Sequence, residues 1–147
     1  MILLNEKINL LLTYLSNNYG INVGKLLIID GYPGKTIYHN IAFRNKSLPM
    51  KYIISDNMES IVEINLIDRV PESKDKSLRI LLNQFNRDNG GLTFRYISGS
   101  GVKATINYVT TNEEFNPAML VDGVLSIMRT IDQIYYDKII NMIKGEC

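Results

Sequence analysis

A glycine-rich segment early in the chain ends in the residues that close a phosphate-binding loop. It reads Gly31-Tyr32-Pro33-Gly34-Lys35-Thr36. In a P-loop the backbone amides cradle the phosphates and the lysine neutralises their charge. The full motif needs a glycine about five residues before the Gly-Lys pair, and that position is Ile29. The loop must also open a helix, whereas the residues that follow are typical of a strand. The segment therefore favours a hairpin turn over nucleotide binding.

Catalytic and metal-binding signatures are weak throughout the chain. His39 is the only histidine and Cys147, the last residue, is the only cysteine. A histidine-based triad or zinc site would need partners that no local motif supplies. Glu113 and Glu114 are best interpreted as solvated loop charge. We therefore expect no catalytic residue, no metal and no cofactor, and a protein that is not an enzyme.

Nine tyrosines raise the alternative of base stacking. Tyr96 and Tyr108 lie on predicted strands near Arg95 and Lys103, an arrangement that could mimic an RNA-binding sheet. The net charge is only +1, which argues against nucleic acid as the main partner. Packing within the core is the favoured interpretation. The alternative kept open is a small-molecule, nucleotide or nucleic-acid binding protein that uses Tyr96, Tyr108 and the Gly31–Lys35 loop.

Three segments have the apolar spacing of amphipathic helices. The first covers about residues 3–18 and stops before Gly20. The second follows Ser73, interpreted as its N-cap, and ends near Asn89-Gly90-Gly91. In the third, Asn116 is interpreted as the N-cap and Pro117 as the first helical residue, and the helix runs without interruption to about Lys144.

Between the helices lie segments with the composition or alternation of strands. Val62, Ile64 and Leu66 alternate with polar residues, which predicts a strand with one wet face and so an antiparallel sheet. Lys46 to Pro49 is expected to break the chain before the third strand. The predicted strands are 25–29, 35–43, 50–55, 60–67, 92–96 and 102–108. The expected fold class is α+β, an antiparallel sheet with an N-terminal, a middle and a long C-terminal helix, in the order α-β-β-β-β-α-β-β-α.

The terminal helix has more apolar positions than one narrow stripe requires. Two interpretations weigh equally: the helix packs on its own sheet, or it presents an interface to a second copy or another protein. The candidate partner-binding residues are Leu120, Val124, Ile127, Met128, Ile131 and Tyr135.

Length and composition place the chain among ordinary globular proteins. Its 147 residues, 46% hydrophobic and 21% charged, predict a single domain over residues 1–147. No apolar run reaches the roughly 18 residues of a membrane-spanning helix. The N-terminus lacks the basic region and cleavage site of a signal peptide. With its lone cysteine, the chain is expected to be cytoplasmic.

Three segments resemble the YbjN-like family of bacterial sensory-transduction regulators. They are Leu81-Leu82-Asn83-Gln84-Phe85-Asn86-Arg87, the hairpin from Leu92 to Tyr108, and Ile131-Asp132-Gln133-Ile134-Tyr135-Tyr136. Asn83, Phe85 and Asn86 match the family motif, although the phenylalanine also belongs to the helix stripe and the asparagines could cap the helix end. The resemblance implies a type III secretion chaperone-like fold. It also implies a non-catalytic protein that, as a homodimer, holds or regulates another protein. We expect exposed apolar surface, either a sheet face or the broad terminal helix, to bind the partner segment.

Overall fold

Six strands form one antiparallel sheet in the computed structural model, which describes residues 4–31, 34–57, 59–87 and 91–145. The spatial order of the strands is β1-β2-β3-β4-β6-β5. Their bounds are β1 (Leu27–Gly31), β2 (Gly34–Phe43), β3 (Lys46–Ser55), β4 (Glu59–Ile67), β5 (Leu92–Tyr96) and β6 (Val102–Val109). The expected sheet is therefore confirmed, with β1 and β5 at its two edges.

One face of the sheet carries the core because apolar residues alternate along every long strand. A single row across five strands shows this: Ile37, Tyr52, Val62, Ile106 and Leu92 are cross-strand partners, and all are buried. The helices cover this face, which we call the helix side. The opposite side of the sheet, which no described helix covers, is called the open face.

The helices follow the predicted order. They are α1 (Leu4–Tyr19), α2 (Asp75–Arg87), α3 (Pro117–Thr130) and α4 (Tyr136–Lys144). The Asn116 cap is confirmed, since its side chain accepts hydrogen bonds from the backbone N–H groups of Ala118 and Met119, at 3.0 and 3.4 Å. Leu11 and Leu15 of α1 are fully buried against the sheet. The α+β architecture α-β-β-β-β-α-β-β-α is confirmed.

The predicted break before the third strand is wrong. β3 begins at Lys46 and includes Pro49, and the chain turns instead at Arg44 and Asn45, whose φ angles are 47° and 63°. Two successive positive φ angles are those of a type I′ hairpin turn. Pro49 fits in the strand because β4 pairs with β3 only from Met50 onward, so no neighbour on that side needs the missing N–H.

Two helix boundaries also differ from expectation. The Ser73 cap is wrong, because residues Glu72–Lys74 form a 3₁₀ turn that leads into α2. The expected end of that helix falls partly on Asn89 and Gly90, which lie outside the described residues. The terminal helix contains a π-helical turn at Ile131–Tyr135 between α3 and α4. A π turn widens the helix locally, and the spacing of apolar residues does not predict it.

Candidate protein-binding surface

The open face carries an apolar patch beside β1. Leu27, Ile29 and Tyr38 are exposed to 58%, 46% and 40%, and Leu27 is the cross-strand partner of Tyr38. We call these three residues the β1 patch. The next strands continue it with the half-buried Ile53 and Ile61, which are also cross-strand partners. Contiguous exposed apolar side chains on a soluble protein are typical of contact surfaces.

The backbone of β1 has one unused edge. In a two-residue hairpin the closing pair, here Gly31 and Gly34, is hydrogen-bonded, and pairing then alternates along the strands. This alternation leaves the N–H and C=O groups of Ile28 and Asp30 pointing away from β2. Among the described residues, no group bonds to them. β1 is therefore an open sheet edge, next to the β1 patch.

The opposite edge of the sheet is closed by α2. The side-chain amide of Asn86 donates to the carbonyl oxygen of Phe94 at 2.9 Å and accepts from its N–H at 2.7 Å. Arg79 donates from Nη1 to the carbonyl oxygen of Tyr96 at 3.2 Å. Asn86 thus pairs with β5 as a neighbouring strand would. Helix cover of this kind protects an edge from pairing with other chains.

The motif behind the family resemblance acquires a structural role here. Asn86 binds β5 rather than capping its own helix, and Phe85 packs edge-on against Phe94, with ring centroids 5.9 Å apart. Asn83 is exposed. The sequence contained this signal only as a matched motif, because pairing between a helix side chain and a strand edge depends on the strand order.

The six candidate residues of the terminal helix lie on its inner side. Leu120, Val124, Met128 and Ile131 are buried in the core, and Ile127 and Tyr135 are partly buried against it. This burial corresponds to the first of the two interpretations, in which the terminal helix packs on its own sheet. These side chains contribute to stability rather than to a surface that a partner could reach in this conformation.

The described residues of the alternative function are also engaged in packing or bonding within the chain, whereas Tyr32 and Pro33 of the Gly31–Lys35 loop lie outside the described residues. Tyr96 is buried on the helix side, and Tyr108, half-buried there, accepts a hydrogen bond from the N–H of Asn116 at 3.1 Å. Neither ring lies on the open face. Gly34 begins a strand, and a Cβ at this position would lie 2.0 Å from the carbonyl oxygen of Ile54. This glycine serves sheet packing, and Lys35 forms an ion pair with Asp30 at 3.5 Å.

Side-chain hydrogen bonds fix both ends of α1 to the rest of the fold. The amine of Lys7 is buried and donates to the carbonyl oxygens of Ser55 and Asn57 at 3.2 and 2.9 Å. Burial lowers the pKa of Lys7, although Asp56 and Glu113 act in the opposite direction. No carboxylate lies within ion-pair distance of it among the described residues. The lysine therefore fixes the start of α1 to the turn between β3 and β4.

At the other end of α1, two phenols share one carboxylate. Tyr14 donates to Asp122 at 2.9 Å and Tyr19 donates to the same side chain. The hydrogen bond to Asp122 is the main cause that raises the pKa of Tyr19 to about 12. Both phenols therefore stay protonated at neutral pH and join α1 to α3.

Arg44 fastens the hairpin turn between β2 and β3 to the terminal helix. Its guanidinium binds the carboxylates of Asp132 and Asp137 and donates to the carbonyl oxygen of Asp132 at 2.9 Å. It also lies over the ring of Tyr136, 4.7 Å from the centroid. The carbonyl belongs to the π turn, so Arg44 supports the point at which the helix widens.

Sites of other kinds are not found in the described part of the chain. No group of three or more His, Cys, Asp or Glu side chains there is placed to hold a metal ion. None of the described helices combines the length and the apolar character needed to cross a membrane.

Comparison with known proteins identifies the fold. No protein-family model and no curated protein sequence matches the chain. Among solved structures, the crystal structure of the ExsC-ExsE complex is similar, with a TM-score of 0.54 and 13% sequence identity over 91% of this chain and 96% of that chain. The chain therefore has a type III secretion chaperone-like fold, as the resemblance implied.

Proposed function

We propose that this chain is a non-catalytic protein-binding module of the chaperone or regulator type. The partner contributes an extended segment that pairs with β1 as a further strand. The observation that carries the proposal is the unused backbone edge of Ile28 and Asp30 beside the exposed β1 patch. Strand addition of this kind takes its affinity from main-chain hydrogen bonds and its specificity from alternate side chains.

The surroundings of β1 define the partner segment. Side chains of an added strand would alternate between the open face, next to Leu27 and Ile29, and the helix side, next to Ile28 and Asp30. The first set meets apolar side chains. The second set meets Asp30, whose carboxylate is 83% exposed. We therefore propose a segment with apolar residues at every second position and a basic residue among those between.

Two further observations support a protein partner. ExsC, which shares the fold, was crystallised in complex with ExsE. The resemblance to YbjN-like regulators points to the same class, and membership of that family stays a prediction. A cytoplasmic location is proposed on the basis of the single cysteine.

The homodimer expected from the sequence needs a larger surface than β1. Stable dimers bury roughly 1,600 Å² in total, and β1 has five residues. We propose that any dimer uses the wider open face, and that it competes with partner binding if it covers the β1 patch. Light scattering at increasing protein concentration measures this directly, with Ile53→Lys as the variant expected to dissociate such a dimer.

A peptide library tests the proposed function. Peptides displayed on phage are selected against the intact chain, and the affinities of those enriched are measured for the wild type and for Ile28→Pro. Proline removes one outward N–H without touching a bond to β2. We expect enriched peptides with apolar residues at alternate positions and an affinity at least about tenfold lower for the proline variant, since a main-chain bond is lost and the ring obstructs the edge.

Ile28→Ala is the matched control. It shortens the same side chain but keeps the N–H, so its affinity should stay close to that of the wild type. Equal losses in both variants would assign binding to the side chain, and unchanged affinity in both would remove β1 from the site. Either result would contradict the proposal.

A further inference from the structure

A second concave surface lies at the far end of the sheet from β1. It is a cavity of about 530 Å³ at the β5 edge of the sheet, lined by α2, by β5 and β6, and by the loop between these strands. Its wall is formed by Arg79 and Asn83 of α2, and its floor includes Arg95 and Lys103 of the strands. Ile97, 68% exposed, lies at its rim. This cavity shares no residue with the β1 patch.

The charges of the cavity do not cancel. Three cations and one carboxylate, Glu63, line it. The carboxylate forms an ion pair with Lys103 at 3.0 Å, and Arg79 is paired with Asp75 at 3.2 Å. Arg95 is therefore the one cation of the lining that lacks an ion-pair partner among the described residues.

The remaining charge and the lining select the ligand. One unpaired cation matches a single carboxylate, whereas a phosphate dianion would face the nearby carboxylate of Glu63 with too little positive charge to offset the repulsion. The exposed side chain of Ile97 adds apolar contact. Asn83 and Ser100 supply polar groups for a peptide backbone.

We infer that this cavity binds an acidic, partly apolar peptide segment of a partner protein, with Arg95 as the residue that pairs with its carboxylate. The site goes beyond the proposed strand addition at β1. A partner that used both surfaces would contact opposite ends of the sheet, and the two contacts would reinforce each other through effective concentration.

Backbone NMR titration with short peptides tests the inference. The probe is Ac-Gly-Leu-Glu-Leu-Gly-amide, and the matched probe carries glutamine in place of glutamate. Inorganic phosphate is titrated separately. We expect the amides around Arg95, Ile97 and Lys103 to shift with the glutamate peptide, with an affinity at least about fivefold higher than for the glutamine peptide or for phosphate. This preference should shrink as salt is added, because the cations are exposed.

Two charge variants locate the contact. Arg95→Gln should lower the affinity for the glutamate peptide to that of the glutamine peptide. Arg129→Gln makes the same charge change on α3 outside the cavity and should leave the affinity unchanged. Binding should also survive Ile28→Pro, which separates this site from the proposed strand addition.

Several outcomes would overturn the inference. Equal affinity for the two peptides would remove the carboxylate from recognition, and tighter binding of phosphate would assign the cavity to a different ligand. Equal losses in Arg95→Gln and Arg129→Gln would mean attraction to net charge only. Light scattering that showed a dimer unaffected by the peptide, with cavity amides protected by the second copy, would assign the cavity to self-association.

Discussion

The two edges of the sheet are built in opposite ways. At β5, the side chains of Asn86 and Arg79 bond to three outward backbone groups, the N–H and C=O of Phe94 and the C=O of Tyr96, and the ring of Phe94 is buried beneath α2. At β1, no group in the described part of the chain bonds to the outward groups of Ile28 and Asp30, and the neighbouring side chains of Leu27 and Ile29 are exposed. Proteins normally protect sheet edges. Protection of one edge and not of the other supports the proposal that a partner segment pairs with the open edge.

The largest expected effect follows from removing the aromatic ring of Phe94. The ring is 3% exposed and contacts Phe85 and Tyr135, with centroids 5.9 and 5.3 Å away. Phe94→Ala should lower the free energy of unfolding by about 3–5 kcal/mol, because a cavity forms in the core. Ile29→Ala at the other edge should cost less than about 1 kcal/mol. Urea unfolding measures both, and similar losses would mean that β1 is as firmly packed as β5.

Hydrogen exchange compares the two edges without a mutation. The N–H of Phe94 is bonded to a side chain of α2, whereas those of Ile28 and Asp30 face solvent. We expect the Phe94 amide to exchange on the order of 100-fold or more slowly than the two β1 amides, because exchange there requires α2 to separate from β5. Comparable rates, measured by NMR after transfer to D₂O, would contradict a free β1 edge.

The difference between the edges was only partly visible in the sequence. Alternation along β4 predicted a strand with one wet face, and Asn116-Pro117 predicted the start of the last helix correctly. These are local signals. Which strand becomes an edge depends on the order in space, and β4 pairs with β6 rather than with β5. No local sequence pattern predicts this spatial order of the strands.

Two local signals were misleading for a related reason. A proline breaks a strand that is paired with neighbours on both sides, but here the pairing of β3 with β4 ends at Met50, so no N–H is needed at Pro49. The apolar surface of the terminal helix is broad because several other elements of the fold pack against it. Its π turn is supported by Arg44, a residue far away in the chain. Of the two surfaces expected to bind a partner, the apolar positions of the helix are buried and the candidate site lies on the sheet, because burial depends on tertiary packing.

Removing the side chain that closes β5 should have an intermediate effect. Asn86→Ala leaves the N–H and C=O of Phe94 without their partner, which should lower the free energy of unfolding by about 1–3 kcal/mol. The variant should also self-associate at high concentration, since it has a second open edge. Asn83→Ala, at an exposed position of the same helix, is the control and should change stability by less than about 0.5 kcal/mol. If both variants unfold alike, the Asn86 contact does not close the edge.

The smallest effect is expected at His39, which lies one strand away from the open edge. It is half-buried on the helix side of β2, opposite Met50, and burial lowers its pKa below the usual value of 6.5. Between the lowered pKa and 6.5, the folded protein binds fewer protons than the unfolded chain. The free energy of unfolding should therefore fall as the pH decreases from about 7 through this interval, and level off below it until carboxylates titrate.

His39→Gln should remove this slope, because His39 is the only histidine in the chain. Urea unfolding of both proteins between about pH 7 and pH 5 gives the comparison. A slope that persists in the glutamine variant would assign the pH dependence to other groups. A slope that is absent from the wild type would mean that water reaches His39 freely. The solvent-exposed region around β1 would then extend to the helix side of β2. The two edges of the sheet would differ in their second strands as well as in their outermost ones.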